Sequence, residues 1–291
     1  MKKINIFCFG FGQVAKSLIR KLSSEKTEIN LFTTSREETK KKKIDKLVYD
    51  NFKFDEKNYD KLLIKALEKS DYILVSIPPV AGHDLVLENF DKIIKKYKFK
   101  WITYLSATSV YGDHNGEWVN EESKTNPTSS NGVNRLSAEK LWMKLADNAN
   151  LPLQIFRLSG IYSNQRNILE RIKSGKAKII SKKNQFFSRI HVDDIGRVLF
   201  KSFNNFKPKE IYNISDDVPA SSEELTSYGS KLLGVELPQK MQINEVKNEM
   251  LKNFYKDSKK VSNKKMKSFF NYKLKYPSFV EGLNYIRNNL I

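Results

Sequence analysis

The stretch from Met1 to Ala15, Met-Lys-Lys-Ile-Asn-Ile-Phe-Cys-Phe-Gly-Phe-Gly-Gln-Val-Ala, constrains this chain more than any other. Ile4, Ile6 and Cys8 alternate along a short apolar strand, Gly10 and Gly12 permit a tight turn, and a helix opens near Gln13. Ala15 fills the third small position of a G-x-G-x-x-A pattern. A glycine turn between strand and helix lets the backbone approach an anion and aims free N–H groups at it. Gly10, Phe11, Gly12, Gln13 and Val14 are therefore expected to cradle the phosphates of a dinucleotide.

Strand-like segments at 3–9, 28–33, 71–77, 100–106 and 153–158 alternate with amphipathic helical stretches near 13–23, 59–69, 83–97 and 133–148. That alternation predicts an α/β fold with a doubly wound parallel sheet of the NAD(P)-binding Rossmann kind. The 36–58 region is polar, and the charge run Glu37 to Lys46 reads as a solvated helix face. Past residue 160 the rhythm turns irregular. Helices are expected near 165–173, 192–203, 221–233, 263–269 and 278–290, with strands near 177–180, 186–190 and 210–214. The expected domains are a dinucleotide-binding domain over 1–160, to which 190–214 returns, and a smaller α/β substrate lobe from 161–189 and 215–291. The Lys-rich segment 247–275 carries no readable pattern beyond one helix.

A formal net charge of +19 raises the question of nucleic acid. The cations, however, are nine Arg and 43 Lys, with the Lys scattered over nearly every segment rather than clustered. The reading is a chain that favours anionic small molecules, with no nucleic-acid partner; a nucleic-acid-binding role remains a third alternative resting on charge alone. Cys8 is the single cysteine, so no intramolecular disulfide can form. Without a signal-peptide pattern or a run of transmembrane length, a cytoplasmic, membrane-free monomer or homodimer is expected. His83, His114 and His191 show no metal-ligand spacing, and no metal site is expected.

Ligands of doubly wound sheets bind beyond the carboxyl ends of the strands. The second strand ends in Thr33-Thr34-Ser35-Arg36, with no acid until Glu37. Hydroxyls followed by a forked guanidinium suit a 2′-phosphate, so Thr34, Ser35 and Arg36 favour NADP, with NAD the alternative. Ser76-Ile77-Pro78-Pro79 and Ser106-Ala107-Thr108-Ser109-Val110-Tyr111-Gly112-Asp113 fall at two further strand ends, which makes Ile77, Pro78, Ser106 and Thr108 site candidates.

The glycine turn, Ser106 to Asp113, Arg157-Leu158-Ser159-Gly160-Ile161-Tyr162, Arg189-Ile190-His191-Val192-Asp193-Asp194-Ile195 and Ile211-Tyr212-Asn213-Ile214 follow one another in order. Together they resemble the extended short-chain dehydrogenase/reductase superfamily, in particular its atypical NAD(P)-dependent epimerase/dehydratase-like members. The resemblance spans almost the whole chain. It implies NAD(P), hydride chemistry, a lobe that closes over a sugar-nucleotide-like substrate, and Leu158 among the cofactor contacts. The resemblance also exposes substitutions. The family's Ser or Thr, Tyr and Lys fall at Ala107, Asn131 and Arg135, with Ala138-Glu139 as the marker. Arg135 is expected to hold the ribose in place of Lys, and Ser106 or Thr108 to orient the substrate oxygen. Tyr162 is the remaining candidate acid, and Tyr111, Asn131, Arg166 and Arg189 are the candidate substrate contacts. Two functions stay open: an epimerase/dehydratase-like oxidoreductase acting on a small polar, anionic or nucleotide-sugar substrate, and a non-catalytic NAD(P) sensor or structural protein.

Overall fold

The computed structural model describes residues 3–247, 252 and 255–289. The first strand, β1 (Lys3–Phe9), enters the glycine turn and leads into α1 (Gln13–Ser24). Then come β2 (Glu28–Ser35), β3 (Lys40–Ile44), β4 (Leu47–Lys53), α2 (Leu62–Glu68), β5 (Tyr72–Val75), α3 (Leu85–Lys96) and β6 (Trp101–Ala107). A 3₁₀ turn, Thr108–Tyr111, follows, and then β7 (Trp118–Val119), α4 (Ser130–Ala149), β8 (Leu153–Leu158), β9 (Gly160–Tyr162) and α5 (Ile168–Lys173). The remainder comprises β10 (Ile179–Ser181), β11 (Arg189–His191), α6 (Val192–Ser202), β12 (Glu210–Ile214), α7 (Ser222–Leu233), β13 (Lys240–Gln242), β14 (Lys260–Val261), α8 (Lys264–Phe269) and α9 (Phe279–Asn288).

Eight strands form one sheet in the order β12-β8-β6-β5-β1-β2-β4-β3. The pairs β1–β2, β1–β5, β2–β4 and β5–β6 are parallel. The chain is thus an α/β protein of the Rossmann type, as its rhythm of strands and helices predicts. Strand order reverses at β1, with β2 on one side and β5 on the other, the kind of position beyond which doubly wound sheets bind ligands.

One element departs from expectation. The charge run at 37–46 is not a helix face: Lys40–Ile44 is an antiparallel edge strand paired with β4, from Lys40 opposite Asn51 to Ile44 opposite Leu47. Asp45, at φ +51°, and Lys46 make the two-residue turn between them. Lysine favours a helix locally, but the row of free pairing groups on β4 outweighs that preference, and a lysine-rich edge discourages pairing with another chain.

The chain divides into two compact units. The first comprises Met1–Ser106, Asn134–Arg157 and Ile195–Tyr212, and the second Ala107–Val133, Leu158–Asp194 and Asn213–Ile291. The core of the first gathers Phe7, Phe9, Phe90, Tyr104, Trp142 and the aliphatic residues around them. Gly196 lets α6 lie directly on α1, since a Cβ there would stand 2.4 Å from Ser17 Oγ. In the second unit Tyr162, Leu169, Phe279, Leu283 and Ile286 form the main cluster. Among the described residues no helix is long and apolar enough to cross a membrane. Part of the segment 247–275, namely 248–251 and 253–254, lies outside the described residues.

Candidate dinucleotide site and the substituted catalytic positions

In the first unit the glycine turn is held by hydroxyls from neighbouring strands. Gly10 sits at φ +82°, and its N–H donates to Thr34 Oγ1 at 2.9 Å. Ser76 Oγ donates to the carbonyls of Phe9 and Gly10, 3.0 Å each. A Cβ on Gly10 would meet Ser76 Oγ at 2.8 Å, so both backbone angle and space demand glycine. Gly12 differs: it stands as N-cap of α1 with ordinary φ, and a Cβ there would meet nothing within 4 Å. No side chain caps α1, and no acid occupies its first turn. The helix therefore presents unsatisfied N–H donors over an open space, as an anion seat requires.

At the end of β2 the structure supplies a residue that sequence reasoning missed. Thr34 is fully buried, and its hydroxyl braces Gly10. Ser35 is half-buried and Arg36 exposed, with no ion pair among the described residues. The missed residue is Asn51 on β4, which is buried and contacts the side chains of both Thr33 and Ser35. Between Asp50 and Phe52, in a segment too polar to read, it carries no distinguishing signal in the sequence. Ile77 is half-buried and Pro78 exposed, directly after β5.

Arg135, on α4, donates from Nη1 to the carbonyl of Leu105 at the end of β6. The next residue, Ser106, is buried, and its Oγ has no partner among the described residues. The structure thus places Arg135 and Ser106 at one strand end. One turn of α4 separates Arg135 from Glu139, whose carboxylate takes a bidentate ion pair from Arg157 at 2.7–3.2 Å, both side chains buried.

In the second unit Thr108 is half-buried in the 3₁₀ turn, and Asn131 is exposed near the start of α4. Gly132 brings these segments together, because a Cβ there would stand 2.6 Å from the carbonyl oxygen of Ser109. The phenols are placed otherwise. Tyr162 is buried, donates to the carbonyl of Ser278 at 3.3 Å, and lies so close to α9 that a Cβ on Gly282 would clash with its hydroxyl at 2.0 Å. Burial, aided by the carboxylates of Asp216, Asp194 and Glu281, pushes its pKa up. Tyr162 is thus packed into the second unit. Tyr111 is likewise fully buried and donates to Asn213 Oδ1 at 2.7 Å.

Arg189 Nη1 donates to the carbonyls of Phe187 and Ala220, at 2.9 and 3.0 Å. Arg189 lies opposite Gly160 in the β9–β11 pair, and Asp216 N–H donates to the Arg189 carbonyl at 2.7 Å. Burial raises the Asp216 carboxyl well above the usual range despite the nearby guanidinium. Arg166 is exposed after β9, and Leu158 is buried at the end of β8. Among the described residues no three His, Cys, Asp or Glu side chains converge as metal ligands.

His191 is buried against Tyr162 and Tyr276, with ring centroids at 5.1 and 4.2 Å. Burial pushes its pKa down to about 4, partly offset by Asp193 and reinforced by Lys275. An unfolded imidazole titrates near 6.5, so its contribution is fully present above that pH. Between pH 6.5 and 4 the unfolded state binds the extra proton and stability falls as the solution is acidified. The expected loss is about 2–3 kcal/mol over that window. Urea unfolding at pH 7 and 4.5 measures it, and His191→Gln should flatten the difference; an equally steep profile in the variant would assign the loss elsewhere.

With this geometry in place, comparisons with known proteins identify the class. The NAD dependent epimerase/dehydratase family matches residues 10–215, and the chain belongs to that family. Among solved structures, a functionally unknown conserved protein from Silicibacter pomeroyi DSS is 30% identical over 99% of each chain, with a TM-score of 0.86. UDP-glucuronic acid 4-epimerase from Bacillus cereus, solved in complex with NAD, shares the fold at 18% identity. It covers 99% of this chain and 96% of its own, with a TM-score of 0.76. dTDP-glucose 4,6-dehydratase from Bacillus anthracis str. Ames, also solved with NAD, reaches 17% identity over 99% and 96%, with a TM-score of 0.78. No curated protein matches the chain significantly.

Proposed function

We propose that the chain is an NADP(H)-binding, epimerase/dehydratase-like oxidoreductase whose first unit holds the dinucleotide and whose second unit supplies the substrate contacts. The observation that carries this reading is the glycine turn itself, braced by Thr34 and Ser76 and opening on an uncapped helix. Gly10, Phe11, Gly12, Gln13 and Val14 would hold the pyrophosphate, Ser35 and Arg36 the adenosine ribose, and Arg135 the second ribose. The orphaned hydroxyl of Ser106 at the same strand end fits a ligand that supplies its partner. A bound nicotinamide supplies hydride exchange. The substrate is a small polar or nucleotide-sugar molecule, as in the structural neighbours solved with NAD and UDP-glucuronic acid or UDP-glucose. Thr108 and Asn131 would orient its reacting oxygen, and Arg166 and Arg189 would face its charge.

The placement of Tyr111 and Tyr162 favours a second reading. Both phenols are buried and committed to structural hydrogen bonds, and the family's Tyr position is Asn131. A chain in which neither of these two motif phenols is available suits a non-catalytic NADP sensor. Following NADPH oxidation against carbonyl compounds, and hydride exchange against nucleotide sugars, decides between them. Turnover abolished by Thr108→Val supports the enzyme; binding of NADPH with no turnover across the panel supports the sensor.

Arg135→Ala tests the ribose assignment separately. It should weaken NADPH binding by about tenfold, equivalent to about 1.4 kcal/mol, the size of one charge-assisted hydrogen bond. Fluorescence titration reads the change, and unaltered affinity would remove Arg135 from the site.

A further inference from the structure

We propose that Asn51 is a positioning residue for cofactor choice: it turns the end of β2 into a seat that only donates hydrogen bonds, and so selects a ribose bearing a 2′-phosphate. The proposal rests on the NADP reading above and adds the device that produces the preference.

The device is a relay across two parallel strands. Thr33 Oγ1 donates to Asn51 Oδ1 at 3.0 Å, which commits the amide oxygen. The amide Nδ2 then donates to Ser35 Oγ at 2.9 Å, and the backbone N–H of Glu37 donates to the same oxygen at 3.3 Å. A serine hydroxyl has two acceptor sites and one hydrogen. With both acceptor sites taken, what Ser35 has left to offer is its O–H. Arg36, exposed beside it, carries five N–H donors and no acceptor.

The acids that could reverse this polarity are occupied. Glu37 is held by Lys40 at 3.2 Å and Lys42 at 3.0 Å, two residues on the same face of β3, and those lysines hold its carboxyl below the usual range. Glu38 is paired with Lys53 at 2.6 Å. Each pair is exposed and individually weak. Their joint effect is to leave Arg36 without a carboxylate competitor. A free 2′-hydroxyl is best bound by a carboxylate that accepts its hydrogen, whereas a 2′-phosphate offers only acceptor oxygens. The lysine run is thus part of the device, which is why a strand, with alternate residues on one face, is needed there rather than a helix.

The test uses adenosine 2′,5′-diphosphate and adenosine 5′-diphosphate, which differ in the 2′-phosphate, alongside NADPH and NADH. Asn51→Asp accepts from both Thr33 and Ser35, draws the serine hydrogen inward and adds a negative charge. It should lower affinity for NADPH and the 2′,5′-diphosphate at least tenfold while changing NADH and the 5′-diphosphate less than threefold. Ser35→Ala, at a half-buried site, should lower NADPH affinity three- to tenfold with an unchanged Tm, and it decides the matter should Asn51→Asp not fold. A wild-type preference ratio retained in Asn51→Asp, or in Ser35→Ala where only that variant folds, overturns the proposal. If the unaltered protein prefers NADH, the NADP reading fails; an Asn51→Asp ratio that still moves toward NADH then keeps Asn51 as the positioning residue.

Discussion

Glu139→Ala is expected to lower stability by about 3–5 kcal/mol, the cost of leaving a buried guanidinium without its carboxylate. Glu139 and Arg157 are 4% and 5% exposed, and the pair is bidentate, with Nη2 to Oε2 at 2.7 Å. The pair ties α4 to β8, so the strand that follows α4 depends on it. In a chain of this size about 4 kcal/mol corresponds to roughly 7 °C in Tm. Replacing both partners, Glu139→Leu with Arg157→Met, should recover most of the loss, because two apolar groups need no compensation. Thermal unfolding followed by circular dichroism reads both variants. A Tm within 2 °C of wild type for the single change would show that Arg157 finds another acceptor.

Gly12→Val carries the second large effect, and it separates binding from folding. Gly12 has an ordinary backbone angle and open space where a Cβ would point, so the variant should fold with a Tm near that of the unaltered protein. The added methyls would fill the space that phosphates need at the N-terminus of α1. NADPH affinity should drop at least about 100-fold, equivalent to about 2.8 kcal/mol. Gly10→Ala offers the contrast, because φ +82° and Ser76 Oγ at 2.8 Å strain the fold itself. Its Tm should fall together with binding. Should Gly12→Val bind NADPH as tightly as the unaltered protein, the phosphates sit elsewhere.

The first fifteen residues made the first strand, turn and helix of the sheet legible, because the strand-turn-helix order there leaves few alternatives. The alternation with helices extended that reading to β2, β5, β6 and β8, but not to β3 and β4. The run Lys40 to Lys43 was not legible as a strand, since its lysines favour a helix locally and only pairing with β4 reverses that preference. Asn51 was hidden for a related reason: its value lies in the register that sets it beside Thr33 and Ser35, and register is a property of the sheet. Thr34 and Ser35 read alike in sequence, yet the first faces Gly10 and the second faces Asn51. Tyr162 and Tyr111 could be named as the remaining phenols, but only the structure packs the first against α9 and sets the second on Asn213.

A calorimetric titration of the unaltered protein with NADPH and with NADH tests the central claim most directly. The seat proposed at Gly12, Ser35 and Arg36 predicts saturable binding of both, tighter for NADPH. No heat and no thermal stabilisation with either dinucleotide would contradict it.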